Sequence, residues 1–258
     1  MLGAVYDIAT YLTTPPLAAP EGGFFSSEDA DSFHTKGDKE KHEGAFYVWT
    51  RKEFESVIGN ERDAAIAAKF YNVKNHGNVD PEHDAHDELT NQNVLAIVSS
   101  PEALAKEFNL PKEEVVAILK DVRAKLGAHR DAQRPRPGLD DKIVVGWNGL
   151  AIGALARTSS ALAGVDDNKA DECRNAAIKA VNFIRRELYD ERSGHMWRVY
   201  REGRGDAPAF ADDYAFLIQG LMDLYEATWD DMYLEFADKL QSMFSLPFPF
   251  LSNPSNLL

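Results

Sequence analysis

Three groups of acids could do chemistry in this chain: Glu28, Asp29 and Asp31; Asp140 and Asp141; and Asp212 and Asp213. Each falls at a turn or a helix start with aromatic residues close by. Carboxylates beside aromatic rings suit a sugar, whose apolar face stacks on a ring while its hydroxyls bond the acids. Glycoside cleavage asks for two carboxylates, about 5 Å apart for retention and roughly 6.5 to 9.5 Å for inversion. The same acids have a plainer use. An aspartate at a helix start caps it, contributing about 1 kcal/mol, and clustered Asp residues form Asx turns. That use is the better account of any one acid and a weaker account of all three groups together.

Other residues carry less. His83, Asp84, His86 and Asp87 lie in a polar segment with no helical spacing to hold metal ligands, so no metal site is expected. His195 sits in an aromatic run and reads as a packed or surface histidine. Cys173 shares a helix face with Ala177 and Val181, which marks it as core. As the sole cysteine it excludes an internal disulfide, a CxxC motif and a cysteine-based zinc site. No cofactor is called for.

The elements that must position the acids centre on residues 134–164, RPRPGLDDKIVVGWNGLAIGALARTSSALAG. Prolines hold the residues before the acids extended. Asn148 is expected to cap a helix, with Trp147 stapled onto Ile152. The many small residues of that helix imply close neighbours on all sides. Between prolines and helix, Lys142 has little freedom and should pair with Asp140, Asp212 or Asp213. A lysine among carboxylates keeps them ionised, which suits a base or nucleophile and leaves Glu28 or Asp29 as the general acid.

Taken in order, Leu2, Val5, Ala9 and Leu12 mark a first helix. Residues 44–49, GAFYVW, have strand character, and Thr50 with Glu53 forms a capping box closed by a Trp49–Phe54 staple. That helix ends at Gly59. Ser100 and Pro101 start another, and Val115, Leu119, Val122 and Leu126 line a longer one. Cys173 to Leu188 and Tyr214 to Thr228 are further helices, with a last one from about Asp231. Residues 193–200 repeat the pattern of a glycine followed by extended aromatics. Beyond Gln241 helical periodicity stops.

GGFFSSEDADS, EGAFYVWT, RPRPGLDDKIVVGWNGLAIGALA and FADDYAFLIQGLMDLYEAT, in this order, resemble the spermatogenesis-associated protein 20 family, thioredoxin-domain proteins with a six-hairpin glycosidase-like region. The resemblance covers about residues 20–241. It implies an all-α fold, a partial (α/α) toroid of helix hairpins with short β-hairpin pieces in the connecting loops. Residues 1–241 would form this toroid region and 242–258 an irregular C-terminal tail. A full ring of twelve helices needs on the order of two hundred residues before inserted loops, so the chain is expected to hold part of one. In such a ring the loops at one end surround a funnel. The implied catalytic residues are then Asp140, Asp141, Asp212, Asp213, Glu28 and Asp29, with Trp147, Asn148, Lys142, Tyr214, Trp49 and Asp31 binding substrate.

Composition narrows the partners. A formal charge of −14 argues against nucleic acid and anionic membranes. No window is long enough to span a bilayer, and the first residues lack a signal-peptide pattern, so an intracellular, cytoplasmic setting is expected. Two functions remain open: a carbohydrate-active domain, hydrolase-like or epimerase-like, taking a sugar or other small polar ligand; or a non-catalytic module that partners the thioredoxin-like domain of full-length relatives.

Overall fold

The computed structural model describes residues 2–80, 82, 84 and 88–244. Among them nine helices appear: α1 Leu2–Thr13, α2 Arg51–Ile58, α3 Glu61–Phe70, α4 Pro101–Phe108, α5 Lys112–Gln133, α6 Val145–Leu162, α7 Asp167–Glu187, α8 Ala211–Thr228 and α9 Asp231–Phe244. The only strands among those residues are two-residue pieces joined in pairs within the connecting loops. The fold is therefore all-α with short β pieces, as expected. His83, His86, Asp87 and the tail beyond Phe244 lie outside the described residues. The chain divides into two compact units, residues 28–138 and residues 1–27 with 139–258.

In residues 28–138, α5 packs against α2, α3 and α4. Val115, Ile118, Leu119, Val122 and Leu126 point one face of α5 into a core with Phe54, Ile66 and Leu104. The punctuation follows the sequence. The Thr50 hydroxyl accepts the Glu53 N–H at 3.1 Å, Gly59 closes α2 with φ 72°, and the Ser100 side chain caps α4 just before Pro101. Trp49 and Phe54 are both buried in this core, as a staple requires.

Two expectations fail here. Residues 44–47 form a turn and only Trp49–Thr50 is strand, paired with Gln92–Asn93. The capping box is half made, because the Glu53 carboxylate turns away from Thr50 to Arg134, accepting from Nη2 at 2.9 and 3.0 Å. One residue explains both. Arg134 is buried, and its Nη1 donates to the carbonyls of Ala45, Phe46 and Val48 at 3.3, 2.8 and 2.7 Å. A guanidinium supplies the donors that a strand partner would have supplied, so the turn needs no ladder. Its Cζ lies over the Trp49 ring, 4.2 Å from the centroid.

In the other unit, α6 packs on α7 and on α8, α9 lies against α8, and α1 against α7. The α6–α8 crossing is tight because glycines meet there. A Cβ on Gly149 would sit 2.5 Å from the Leu217 nitrogen, and one on Gly220 2.4 Å from the Gly149 carbonyl oxygen. Cys173, Ala177, Val181 and Ile184 of α7, with Leu217, Leu221 and Leu224 of α8, fill the core around them. Burial of Cys173 pushes its thiol pKa up, as a core thiol and not a nucleophile.

The start of α6 differs from expectation. The helix begins at Val145, and Asn148 lies inside it, fully buried. Its carboxamide clamps another segment: Oδ1 accepts the Phe24 N–H at 2.7 Å, and Nδ2 donates to the Phe24 and Val144 carbonyls, each at 3.0 Å. Trp147 is 53% exposed and staples nothing. Nor is α6 enclosed on all sides, since Trp147, Leu150, Ala154 and Arg157 form an exposed stripe. The cap comes from far along the chain, as Asp213 Oδ1 accepts the Gly146 N–H at 2.9 Å.

Candidate functional site

The segment before residue 27, the turn at 140–144 and the hairpin at 199–204 enclose a cleft of about 330 Å³. Its walls are fixed by backbone bonds. Ile143–Val144 pairs antiparallel with Val199–Tyr200. Ser26 N–H donates to the Asp140 carbonyl at 3.1 Å, and the Ser26 hydroxyl to the Lys142 carbonyl at 2.7 Å. The Asn148 clamp on Phe24 holds the strand segment in place. Gly22, at φ 114°, lets that segment pass the Lys179 carbonyl, where a Cβ would come to 2.7 Å.

Three carboxylates and two rings line the cleft: Glu21, Asp141 and Glu202, with Phe25 and Tyr200. Asp141 Oδ1 lies 2.6 Å from Arg201 Nε, a charge contact without hydrogen-bond geometry, to an arginine that is largely exposed. Glu202 occupies the left-handed region at φ 55°, an unfavourable conformation for a non-glycine residue. The hairpin bonds from Arg201 N–H to the Gly203 carbonyl and from Gly205 N–H to the Val199 carbonyl, both 2.9 Å, hold it there.

Asp140 and Lys142 flank this turn. Their side chains pair at 3.3 Å, as the sequence suggests, but with 34% and 45% of each exposed. Asp212 is exposed at the start of α8, 3.5 Å from Arg198. Asp213 and Tyr214 are different. Asp213 is buried; Oδ1 takes the Gly146 N–H, and Oδ2 takes the Phe210 N–H at 2.9 Å and Arg198 Nη1 at 2.8 Å. Both its oxygens are engaged, in capping α6 and α8 and in pairing with Arg198. Tyr214 is a core residue whose burial pushes its phenol pKa up. Asn148 is likewise enclosed by the structure it holds, so these three do not present side chains to a ligand, and the buried Trp49 is not part of this cleft.

In residues 28–138, Glu28 and Asp29 are held by cations. Both Glu28 oxygens meet the Arg136 fork, at 2.5 and 3.0 Å. Lys41 at 3.0 Å, helped by the Asp31 N–H, holds the Asp29 carboxyl below the usual carboxylate range. That fits a binding group or base and not the general acid suggested above. Asp31 pairs through its backbone with Glu43. His195 is partly exposed, edge-on to Trp197 with centroids 4.8 Å apart.

Phe25, Tyr200, Glu21 and Glu202 were not singled out from the sequence. The signal was present in part: a glycine-aromatic run ending in Tyr200, then Glu202-Gly203 at a hairpin tip. Among the described residues no group of three or more His, Cys, Asp or Glu could hold a metal ion. No helix among them is long and apolar enough to cross a membrane.

No family model matches the chain. Human spermatogenesis-associated protein 20 is 36% identical over 241 residues, which cover 87% of this chain and 30% of that protein. The mouse protein of the same name is 36% identical over 88% of the chain and 30% of its own length. An uncharacterized Caenorhabditis elegans protein, B0495.5, is 32% identical over 95% of the chain and 34% of its length. The chain thus spans about a third of these relatives. Among solved structures, a cellobiose 2-epimerase from Bacillus thermoamylovorans is similar with a TM-score of 0.37 at 12% identity, over 95% of this chain and 56% of that one. A D-mannose isomerase gives 0.32 at 12%, over 93% and 49%.

Proposed function

We propose, from the premise that over the stretch it spans the chain belongs to the spermatogenesis-associated protein 20 family, that it is a carbohydrate-active domain whose sugar site is the cleft beside Asp141. The observation that carries this is the lining itself. Glu21, Asp141 and Glu202 converge with Phe25 and Tyr200 on about 330 Å³, and pockets of about 300 Å³ upward take small ligands. A pyranose ring would stack on Tyr200 or Phe25 and give its hydroxyls to the carboxylates. Asp141, beside Arg201, is the group we assign to base or nucleophile chemistry, whether the reaction is hydrolytic or an epimerisation. Asp140, with Lys142, would bind an outer hydroxyl. Asp212 and Trp147 do not line this cleft and have at most a peripheral part.

The test is thermal melting of the chain with a panel of mono- and disaccharides. A ligand that binds only the folded state must raise the melting temperature. We expect a rise with at least one sugar, lost in Asp141→Asn and in Tyr200→Ala while both variants keep a folded helical spectrum. A flat response across the panel ends the reading.

One observation favours a second reading, a docking module for the thioredoxin-like domain of full-length relatives. Trp147 and Leu150, one turn apart on α6, are both about half exposed, and large exposed apolar side chains in one patch mark interaction surfaces. On that reading sugars leave the melting point unmoved, and Trp147→Ser weakens capture of the thioredoxin-like domain.

A further inference from the structure

A second cleft, of about 240 Å³, lies wholly within residues 28–138 and has a different chemistry. Two arginines, Arg123 and Arg130, face it with Trp49, Tyr71 and Leu126. In a chain of formal charge −14, paired guanidinium groups at one hollow run against the general composition. They also run against the cleft beside Asp141, which carries acids only.

The helix itself contains the clue. Residues 123, 127 and 130 of α5 recur at i, i+4 and i+7 and so share one face. The middle position is Gly127. A mid-helix glycine costs about 1 kcal/mol relative to alanine, and here neither packing nor backbone requires it. A Cβ at Gly127 would meet no atom within 4 Å, and its φ is not left-handed. The glycine leaves a notch between the two arginine stems that a side chain would fill. Around the notch stand apolar surfaces: the Trp49 ring, 3% exposed and fixed under Arg134, the side of Tyr71 and Leu126. Arg130 is directed by stacking over Phe46 and Tyr47, at 5.0 and 5.6 Å from their centroids. Its ion pair is with its own neighbour Asp131, whose side chain is about half exposed, so solvent competes for that contact. Arg123 lies near enough to Tyr71 to draw its phenol pKa down against the larger upward push of burial.

We propose that this cleft binds a small organic anion, a carboxylate or phosphate ester carried on one flat apolar ring. The ring would lie over the Gly127 notch against Trp49, Tyr71 and Leu126. The anion would meet Arg123 and Arg130, whose planar forks match carboxylate and phosphate oxygens. The small volume limits the body to about one ring.

Isothermal titration of the whole chain with benzoate, phenyl phosphate and uncharged benzyl alcohol tests this. Either anion should bind at millimolar concentration or below, roughly tenfold or more tighter than the alcohol. The tighter of the two identifies the head group. Gly127→Leu should melt at the same temperature or higher, since leucine is the better helix former and has room, yet lose at least about tenfold in anion affinity. Arg130→Gln should keep the melting temperature and weaken the anions while leaving benzyl alcohol unchanged. Absence of binding by both anions, equal binding of the alcohol, or undiminished binding by Gly127→Leu would each overturn the proposal.

Discussion

Each unit uses a buried ion to satisfy backbone groups, and the two ions that do so have opposite signs. In residues 28–138 the buried ion is Arg134, which feeds three carbonyls of the turn at 44–48 and is neutralised by Glu53. In the other unit it is Asp213, which accepts the N–H groups of Gly146 and Phe210 and is neutralised by Arg198. The backbone groups left over decide the sign. Helix starts leave N–H donors and draw an anion. A turn that has lost its strand partner leaves carbonyls and draws a cation. In both places a residue whose charge suggests chemistry is consumed by backbone satisfaction.

Arg134 should be the more costly to remove. Its side chain is 5% exposed, and truncation strands three carbonyls and an acid at once. Arg134→Ala is expected to destabilise by about 3–5 kcal/mol, the range for breaking a buried pair, in chemical denaturation. A loss below about 1 kcal/mol would mean that water replaces the guanidinium and that the comparison fails.

Asp213→Asn should cost less, about 1–3 kcal/mol. The carboxamide oxygen still serves one N–H, and Arg198, a quarter exposed, is partly rehydrated. The same variant separates a cap from a catalytic acid. If sugar binding measured by melting persists in it, Asp213 acts only by capping. Loss of sugar binding in a fully folded variant would return Asp213 to the site.

These roles also explain what could be read from the sequence and what could not. Thr50, Gly59 and Ser100 were legible because each acts within four residues of itself. The faces of α5 and α7 were legible because periodicity is local too. The partners of Glu53 and Asn148, and the helix start that Asp213 caps at Gly146, were not legible because they lie 81, 124 and 67 residues away. A good N-cap residue inside a helix, such as Asn148, gives no local sign that it will clamp a distant segment. The cleft beside Asp141 was half visible for the same reason. Of its acids only Asp141 was marked, by the turn at 138–142, whereas Tyr200 and Glu202 reach it through a two-residue strand pairing that no spacing rule specifies.

A pH test sharpens the comparison, since the cationic environment in residues 28–138 has a titrating neighbour. Burial, with help from His42 and Arg134, holds the His34 pKa below its usual value, while Asp38 and Glu53 oppose this. The folded state therefore prefers neutral His34. The unfolded chain takes up its proton near pH 6.5, so the stability associated with neutral His34 is present above that pH and declines as the pH falls below it towards the depressed folded value. Melting between pH 8 and pH 5.5 should fall less in His34→Gln than in the parent. Identical pH slopes would show that His34 senses no such environment.

The smallest effect is expected where the sequence placed the most weight, at Lys142. Its pairing with Asp140 is real at 3.3 Å, yet both side chains are a third or more exposed. Arg134 and Asp213 lack such access to water, and that is what separates a structural ion from a screened one. When Lys142 is removed, solvent takes its place beside Asp140, and no backbone group loses a partner because only its own N–H and carbonyl are engaged with Asp140 and Ser26. Lys142→Gln should therefore change stability by less than about 0.5 kcal/mol, and raising the salt concentration should shrink even that. If Lys142 serves a ligand, the variant will instead reduce the sugar-induced rise in melting temperature with the unliganded value unmoved. A salt-independent loss above about 1.5 kcal/mol would make Lys142 a third member of the buried-ion class, and exposure would then be a poor guide to which ions hold this fold.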